Sequence, residues 1–184
     1  MRWEDQSETV TLPAAAVFLK TLEPADEQRL SGLENELPRV VVTSDCLRSM
    51  REHLDTSCDE LGGLLLGRAY RHAGPAETHV IVAECSVASR VFDSTGVSLR
   101  METEVWDRAR PLLDAGALVV GWYHSHPNLG AFFSETDRTT QRSFFRNPFS
   151  VGIVIDPVRE EMRAFVGPES AIVPEENLVV VACG

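Results

Sequence analysis

The chain has 184 residues, the size of one ordinary domain, and its 43% hydrophobic content provides for a packed core rather than wholesale disorder. Its 17 basic and 28 acidic residues leave a net charge of −11, which argues against nucleic acid and anionic membranes as partners, since both reward clustered Lys and Arg. Cys46, Cys58, Cys85 and Cys183 form no C-x-x-C pair and match no disulfide framework, so inert thiols in a reducing cytosol are expected. The opening MRWEDQSETV is acidic where a signal peptide needs a basic patch and an apolar run. No stretch approaches the roughly 18 apolar residues of a membrane span. A soluble, cytoplasmic protein is the expectation.

Residues 1–38 read as an N-terminal extension. The apolar VTLPAAAVFLK leads into an acidic segment broken by Pro24, Gly32 and Pro38, and the pattern predicts one strand and one short helix there. A denser pattern starts at Arg39, and residues 39–184 read as one domain. RVVVT is a short β-branched strand, and Thr43 or Ser44 caps a helix running to about Asp55. LGGLLLGRAYR and THVIVAECS read as neighbouring strands, and SRVFDSTGVS as a loop. LRMETEVWDRARPLLDAG is a second helix, with Pro111 late in it and Gly116 as its stop signal. ALVVGWYHSHP is a buried strand ending at Pro127. SETD then opens a third helix with a capping-box pattern. SVGIVIDP, EMRAFVG and NLVVVA are the remaining strands. Strands interleaved with helices indicate a mixed α/β or α+β domain.

His124 and His126 stand at the end of the ALVVGWYHSHP strand. Side chains at i and i+2 share a face, so both imidazoles can meet at one point. Asp137 lies eleven residues after His126, in the first turn of the third helix, where a carboxylate is favoured. Two His nitrogens and one Asp oxygen make a three-ligand zinc site with an open fourth position, the arrangement a catalytic zinc uses to hold water. An H-x-H pair alone also fits two surface histidines beside a turn. Ser134 fits either a plain N-cap or a donor to an oxyanion. Glu60, ahead of L-G-G-L-L-L-G, is either a solvated strand start or a general base. His53, His72 and His79 read as surface residues. Trp122 and Tyr123 read as core or as support for the ligands. Phe132, Phe133, Phe144 and Phe145 read as core around the third helix.

Taken together, His124-Ser125-His126-Pro127, Ser134 seven positions after Pro127, Asp137 three further on, and the upstream Glu60 resemble the JAMM (MPN-plus) zinc metalloprotease signature. GWYHSHPNLGAFFSETDRTTQRSF followed by VGIVIDP is similar to the same family, which includes the proteasome-lid deubiquitinase and prokaryotic relatives. The resemblance covers roughly Arg39 to Gly167. It implies a cytidine-deaminase-like JAB/MPN fold, a mixed curved β-sheet flanked by helices. It implies that His124, His126 and Asp137 bind one Zn²⁺, with water as fourth ligand. Glu60 would be the general acid/base, and Ser134 would stabilise the oxyanion. Every motif position is filled, which disfavours an inactive MPN-minus scaffold.

The activity implied is cleavage after the C-terminal tail of a ubiquitin-like protein, as deconjugation or precursor processing, in a prokaryotic conjugation or antiviral pathway. Release of cysteine or a C-terminal extension from a sulfur-carrier protein is a second reading, and a non-catalytic zinc-binding scaffold a third. The loop 86–99 sits where the family places a substrate-gripping insertion. It is short here, with Val91, Phe92 and Asp93 as candidate contacts. All but one of the 17 basic residues are Arg, Lys20 being the only lysine. A GC-rich genome accounts for that, and so does work beside a lysine-conjugating pathway.

Overall fold

The computed structural model describes residues 11–33, 35, 37–72, 78–89 and 103–182. Before the sheet come two short helices, Ala15–Leu19 (α1) where a strand was expected and Pro24–Ser31 (α2) where a short helix was. Three successive alanines at 14–16 favour helix, and Pro24 supplies the fixed φ of a first helical turn. Arg39 is buried and ties α2 down: its guanidinium donates to the carbonyls of Leu30 and Leu33, each at 2.9 Å.

The strands are Arg39–Thr43 (β1), Gly62–His72 (β2), Thr78–Ala88 (β3), Leu118–Ser125 (β4), Val151–Asp156 (β5), Glu161–Val166 (β6), Ala171–Ile172 (β7) and Leu178–Val181 (β8). They form one mixed sheet in the order β7-β6-β5-β4-β2-β3-β1-β8. β1 pairs in parallel with both β3 and β8, and β4 in parallel with β5, while the other pairs are antiparallel. Three further α-helices among the described residues are Ser44–Leu54 (α3), Thr103–Asp114 (α4) and Glu135–Phe144 (α5), so the domain is α+β as expected. Thr43 caps α3 by accepting the Cys46 N–H. The two-residue β7 was not anticipated; so short an edge strand has no period to read. Among the described residues no helix is long and apolar enough to cross a membrane.

Both faces of the sheet are covered, which is why β1 is an uninterrupted Val run. On the first face α3 packs Cys46, Leu47, Met50 and Leu54 against Val40, Val42, Ile81 and Ile153. On the second face α1 and α2 cover Val41, Val80, Val82 and Val179 toward one edge. Val105 and Ala109 of α4, with Phe133 and Phe145, cover Leu64, Trp122 and Val154 nearer the centre.

A bulge in β4 decides which face receives the motif. Leu66 pairs with Val119 and Leu65 with Gly121, so Val120 is left without a partner. Leu118 and Val120 point to the first face and Val119 to the second. Regular alternation would then send Trp122 to the first face. The extra residue reverses the phase, so Trp122 joins the second face and Tyr123 the first. His124 follows Trp122 onto the face that α5 occupies.

Gly121 sits at this bulge, where a Cβ would run into the backbone carbonyl of Val151 on β5. Gly121→Ala should therefore cost about 1–3 kcal/mol, measured by urea denaturation, because the β4–β5 backbones would have to part.

Candidate metal centre

His124 is fully buried and lies flat on Trp122, with ring centroids 4.5 Å apart and planes 9° from parallel. Trp122 is locked in turn, because its indole N–H donates to Gln141 Oε1 at 2.7 Å. The Gln141 amide also donates to the carbonyls of Ser150 and Gly167, at 3.2 Å each. Gln141 is one turn beyond Asp137 on α5, so a single side chain fixes both the helix that carries one ligand candidate and the ring beneath another. His126 lies just past the end of β4, and its N–H continues the pairing to β5 by donating to Ile155 at 3.0 Å.

Asp137 is placed by the start of α5. Ser134 is the N-cap, and the full capping box forms. The Ser134 backbone N–H and hydroxyl both donate to Asp137 Oδ2, at 2.7 and 2.6 Å, and the Asp137 N–H donates to Ser134 Oγ at 3.2 Å. Asp137 Oδ1 is 3.2 Å from His124 Nε2, and Oδ2 is 3.6 Å from His126 Nε2. Glu60, in the turn that enters β2, brings Oε1 to 3.7 Å from His126 Nε2 and keeps a partly exposed carboxylate. The structure thus gathers Glu60, His124, His126, Ser134 and Asp137 at one place. Val91, Phe92 and Asp93 lie outside the described residues.

The three ligand candidates are buried, and one ligand atom from each lies within 4.8 Å of the others. Bonds of about 2.0–2.1 Å from a tetrahedral zinc put ligand atoms about 3.3 Å apart. The His124–Asp137 and His126–Asp137 separations bracket that value, so the residues present fit the ion. Their protonation suits it too. Burial, with His124 alongside, lowers the His126 pKa and keeps its imidazole neutral. Burial pushes the Asp137 carboxyl up, but hydrogen bonds from His124 and Ser134 outweigh it and hold the group below the usual carboxylate range.

The loop between His126 and Ser134 is held from β5. Asp156, fully buried at the end of that strand, accepts the N–H groups of Asn128, Gly130, Val158 and Arg159 at 2.7 to 3.1 Å. The Arg159 guanidinium donates to the Asn128 carbonyl at 3.0 Å, and the Ala131 N–H donates to Glu161 at 3.2 Å. Asn128 and Gly130 adopt the left-handed conformation, φ 60° and 94°, that turns the loop back.

Three sequence readings need correction. His53 is not an ordinary surface histidine: it is half-buried at the end of α3, with Nδ1 2.9 Å from the Tyr123 hydroxyl. Of the four phenylalanines expected in the core, Phe133 and Phe145 are there, but Phe132 and Phe144 are exposed. Helical spacing puts Phe144 on the outer face of α5, and Phe132 alternates with Phe133 along an extended segment. Phe132 still lies beside the centre, its ring 4.8 Å from that of His126. Gln141 and Asp156 were overlooked. Spacing of i+4 from Asp137 pointed to Gln141, whereas Asp156 carried only the general turn signal of Asp-Pro.

Burial pushes the Asp156 carboxyl up, but the four N–H bonds more than offset it and depress the folded pKa. Its contribution is then present above its unfolded value of about 3.9 and lost as pH falls through the folded pKa. Asp156→Asn should cost about 3 kcal/mol near neutrality and flatten the decline of stability below about pH 4, both read from denaturation curves across pH.

A family model described as prokaryotic homologs of the JAB domain matches residues 43–166. The chain is 49% identical over 135 residues to the ubiquitin carboxyl-terminal hydrolase RPN11 of Saccharomyces cerevisiae, covering 70% of this chain and 42% of that protein. It is 35% identical over 99 residues to the NAD(+) hydrolase TcpA of a Theionarchaea archaeon, covering 53% of this chain and 27% of that protein. The chain spans less than half the length of these curated relatives. The solution structure of a protein from Desulfitobacterium hafniense superposes with a TM-score of 0.53 at 18% identity, covering 78% of this chain and 92% of that one, a likeness of fold.

Proposed function

The chain belongs to the prokaryotic homologs of the JAB domain, and we propose that it is a zinc-dependent isopeptidase or peptidase that cuts after the C-terminal tail of a ubiquitin-like protein. The observation that carries this reading is the gathering of a His-His-Asp ligand set with a carboxylate and a hydroxyl at one centre. In this reading residues 39–184 form the catalytic unit and residues 1–38 an extension. The proposed setting is a cytoplasmic prokaryotic conjugation pathway, antiviral ones included. The similarity to RPN11, a ubiquitin carboxyl-terminal hydrolase by name, supports the substrate class. The net charge of −11 suits a partner with a basic tail or face.

His124, His126 and Asp137 would hold the ion, which supplies Lewis-acid polarisation of a carbonyl and acidifies a water. The remaining chemistry belongs to the chain. Glu60 takes a proton from the attacking water and returns it to the departing amine, which its partly exposed carboxylate is free to do. The Ser134 hydroxyl turns from Asp137 toward the oxyanion as negative charge grows on the former carbonyl oxygen. Asp137 stays anchored meanwhile by the Ser134 backbone N–H.

The test is cleavage of a ubiquitin-like protein fused to a reporter, run with zinc, with a chelator and with zinc restored. Activity should vanish on chelation and return with the metal. Glu60→Gln should keep one zinc per chain by elemental analysis and lose about 10²–10⁴ in turnover. Wild-type activity in that variant would remove the general-base role. Ser134→Ala should lose about 10²–10³ in kcat and about 1 kcal/mol of stability through the cap. A parallel arm offers NAD⁺, because a segment of the chain is similar to a hydrolase of that name. NAD⁺ turnover with every fusion left intact would overturn the peptide-bond reading. Zinc binding with neither activity would support the scaffold, and release of cysteine from a sulfur-carrier protein would redirect the substrate.

A further inference from the structure

We propose that Ser125, the residue between the two ligand histidines, is a positioning residue for Glu60; the proposal rests on the general-base reading above. Glu60 needs such help. Among the described residues no side-chain hydrogen bond holds its carboxylate, whose contact is the 3.7 Å approach to His126. The chain from Asp55 to Asp59 that leads into it is largely exposed, and its internal ties are local, the Asp59 N–H donating to Ser57 Oγ at 3.0 Å and the Ser57 hydroxyl to Asp59 Oδ2 at 3.3 Å. Where Glu60 sits is therefore set by the next residue, Leu61.

Leu61 is held by Ser125 on both its backbone groups. The Ser125 N–H donates to the Leu61 carbonyl at 2.8 Å, which extends the β2–β4 pairing one residue beyond Gly62 and His124. In a regular antiparallel pair the Leu61 N–H would return that bond to a backbone carbonyl. Here it donates to Ser125 Oγ at 3.0 Å. Because the acceptor is a side chain, the β2 backbone leaves the ladder at Leu61, and the chain before it can turn toward the metal centre. Alternation along β4 supplies the placement: His124 and His126 face the centre, so Ser125 faces the other way, fully buried. One H-S-H tripeptide would thus place two ligands with its outer members and the base with its middle one.

The test compares Ser125→Ala, which removes the acceptor, with Ser125→Thr, which keeps it. Zinc content comes first, since Ser125 adjoins two ligands; both variants should hold one zinc per chain. Ser125→Ala should lose about 10–100-fold in kcat with KM unchanged, the loss expected when a reacting group is displaced by up to about 1 Å. Ser125→Thr should recover most of it. If Ser125 acts through Glu60, adding Ser125→Ala to Glu60→Gln should slow the enzyme no further. Independently of turnover, the Leu61 amide in the zinc-free chain should exchange its hydrogen about 5–10-fold faster in Ser125→Ala, the effect of losing one hydrogen bond. Unchanged Leu61 exchange, or full additivity in the double variant, would overturn the proposal. A wild-type chain that cleaves no fusion would defeat the peptidase reading instead, while the exchange measurement still decides whether Ser125 holds Leu61.

Discussion

The Asp137 carboxylate starts a helix and joins the His-His-Asp group at once, and the rest of the centre is arranged around that double use. Oδ2 closes the capping box with Ser134 and lies 3.6 Å from His126, while Oδ1 faces His124. A carboxylate at the third position of a helix is stabilised by the N–H groups around it, so the interaction that starts α5 also favours the ionised form of Asp137. The cost is burial of a charge, which is tolerable because every strong neighbour is a donor. Helix initiation and the geometry of the His-His-Asp group are consequently coupled through one side chain.

Two supports then set the distance between strand and helix. Gln141 reaches from α5 to Trp122 beneath His124 and to carbonyls of the β5 and β6 ends. Asp156 gathers the loop that joins His126 to Ser134. Both are polar groups buried with their hydrogen bonds made, an arrangement that specifies geometry more sharply than apolar packing, because a displaced partner leaves an unsatisfied group behind. The centre thus rests on β4, β5, α5 and the turn entering β2, elements whose packing the sheet already fixes.

Much of this was legible in the letters. The H-x-H pair, the S-x-x-D cap and the apolar strands are local patterns, and each formed where its period placed it. The first N-terminal helix was misread as a strand because its apolar residues have too short a span to separate periods of 2 and 3.6. Exposure of Phe132 and Phe144, and burial of His53 against Tyr123, depend on which neighbours arrive from distant parts of the chain, and no local window contains those neighbours.

By itself the sequence singled out the candidate residues and determined that His124 and His126 share a face, because both follow from covalent spacing and strand alternation. Only the tertiary structure decided which face that is. The unpaired Val120 shifts β4 by one residue, and a shift of one exchanges the two sides of a strand. Without it the histidines would point toward α3. With it they meet Asp137 on α5 and the carboxylate of Glu60. Composition suggested one domain and spacing suggested a metal, but their meeting point depended on a single extra residue in a ladder.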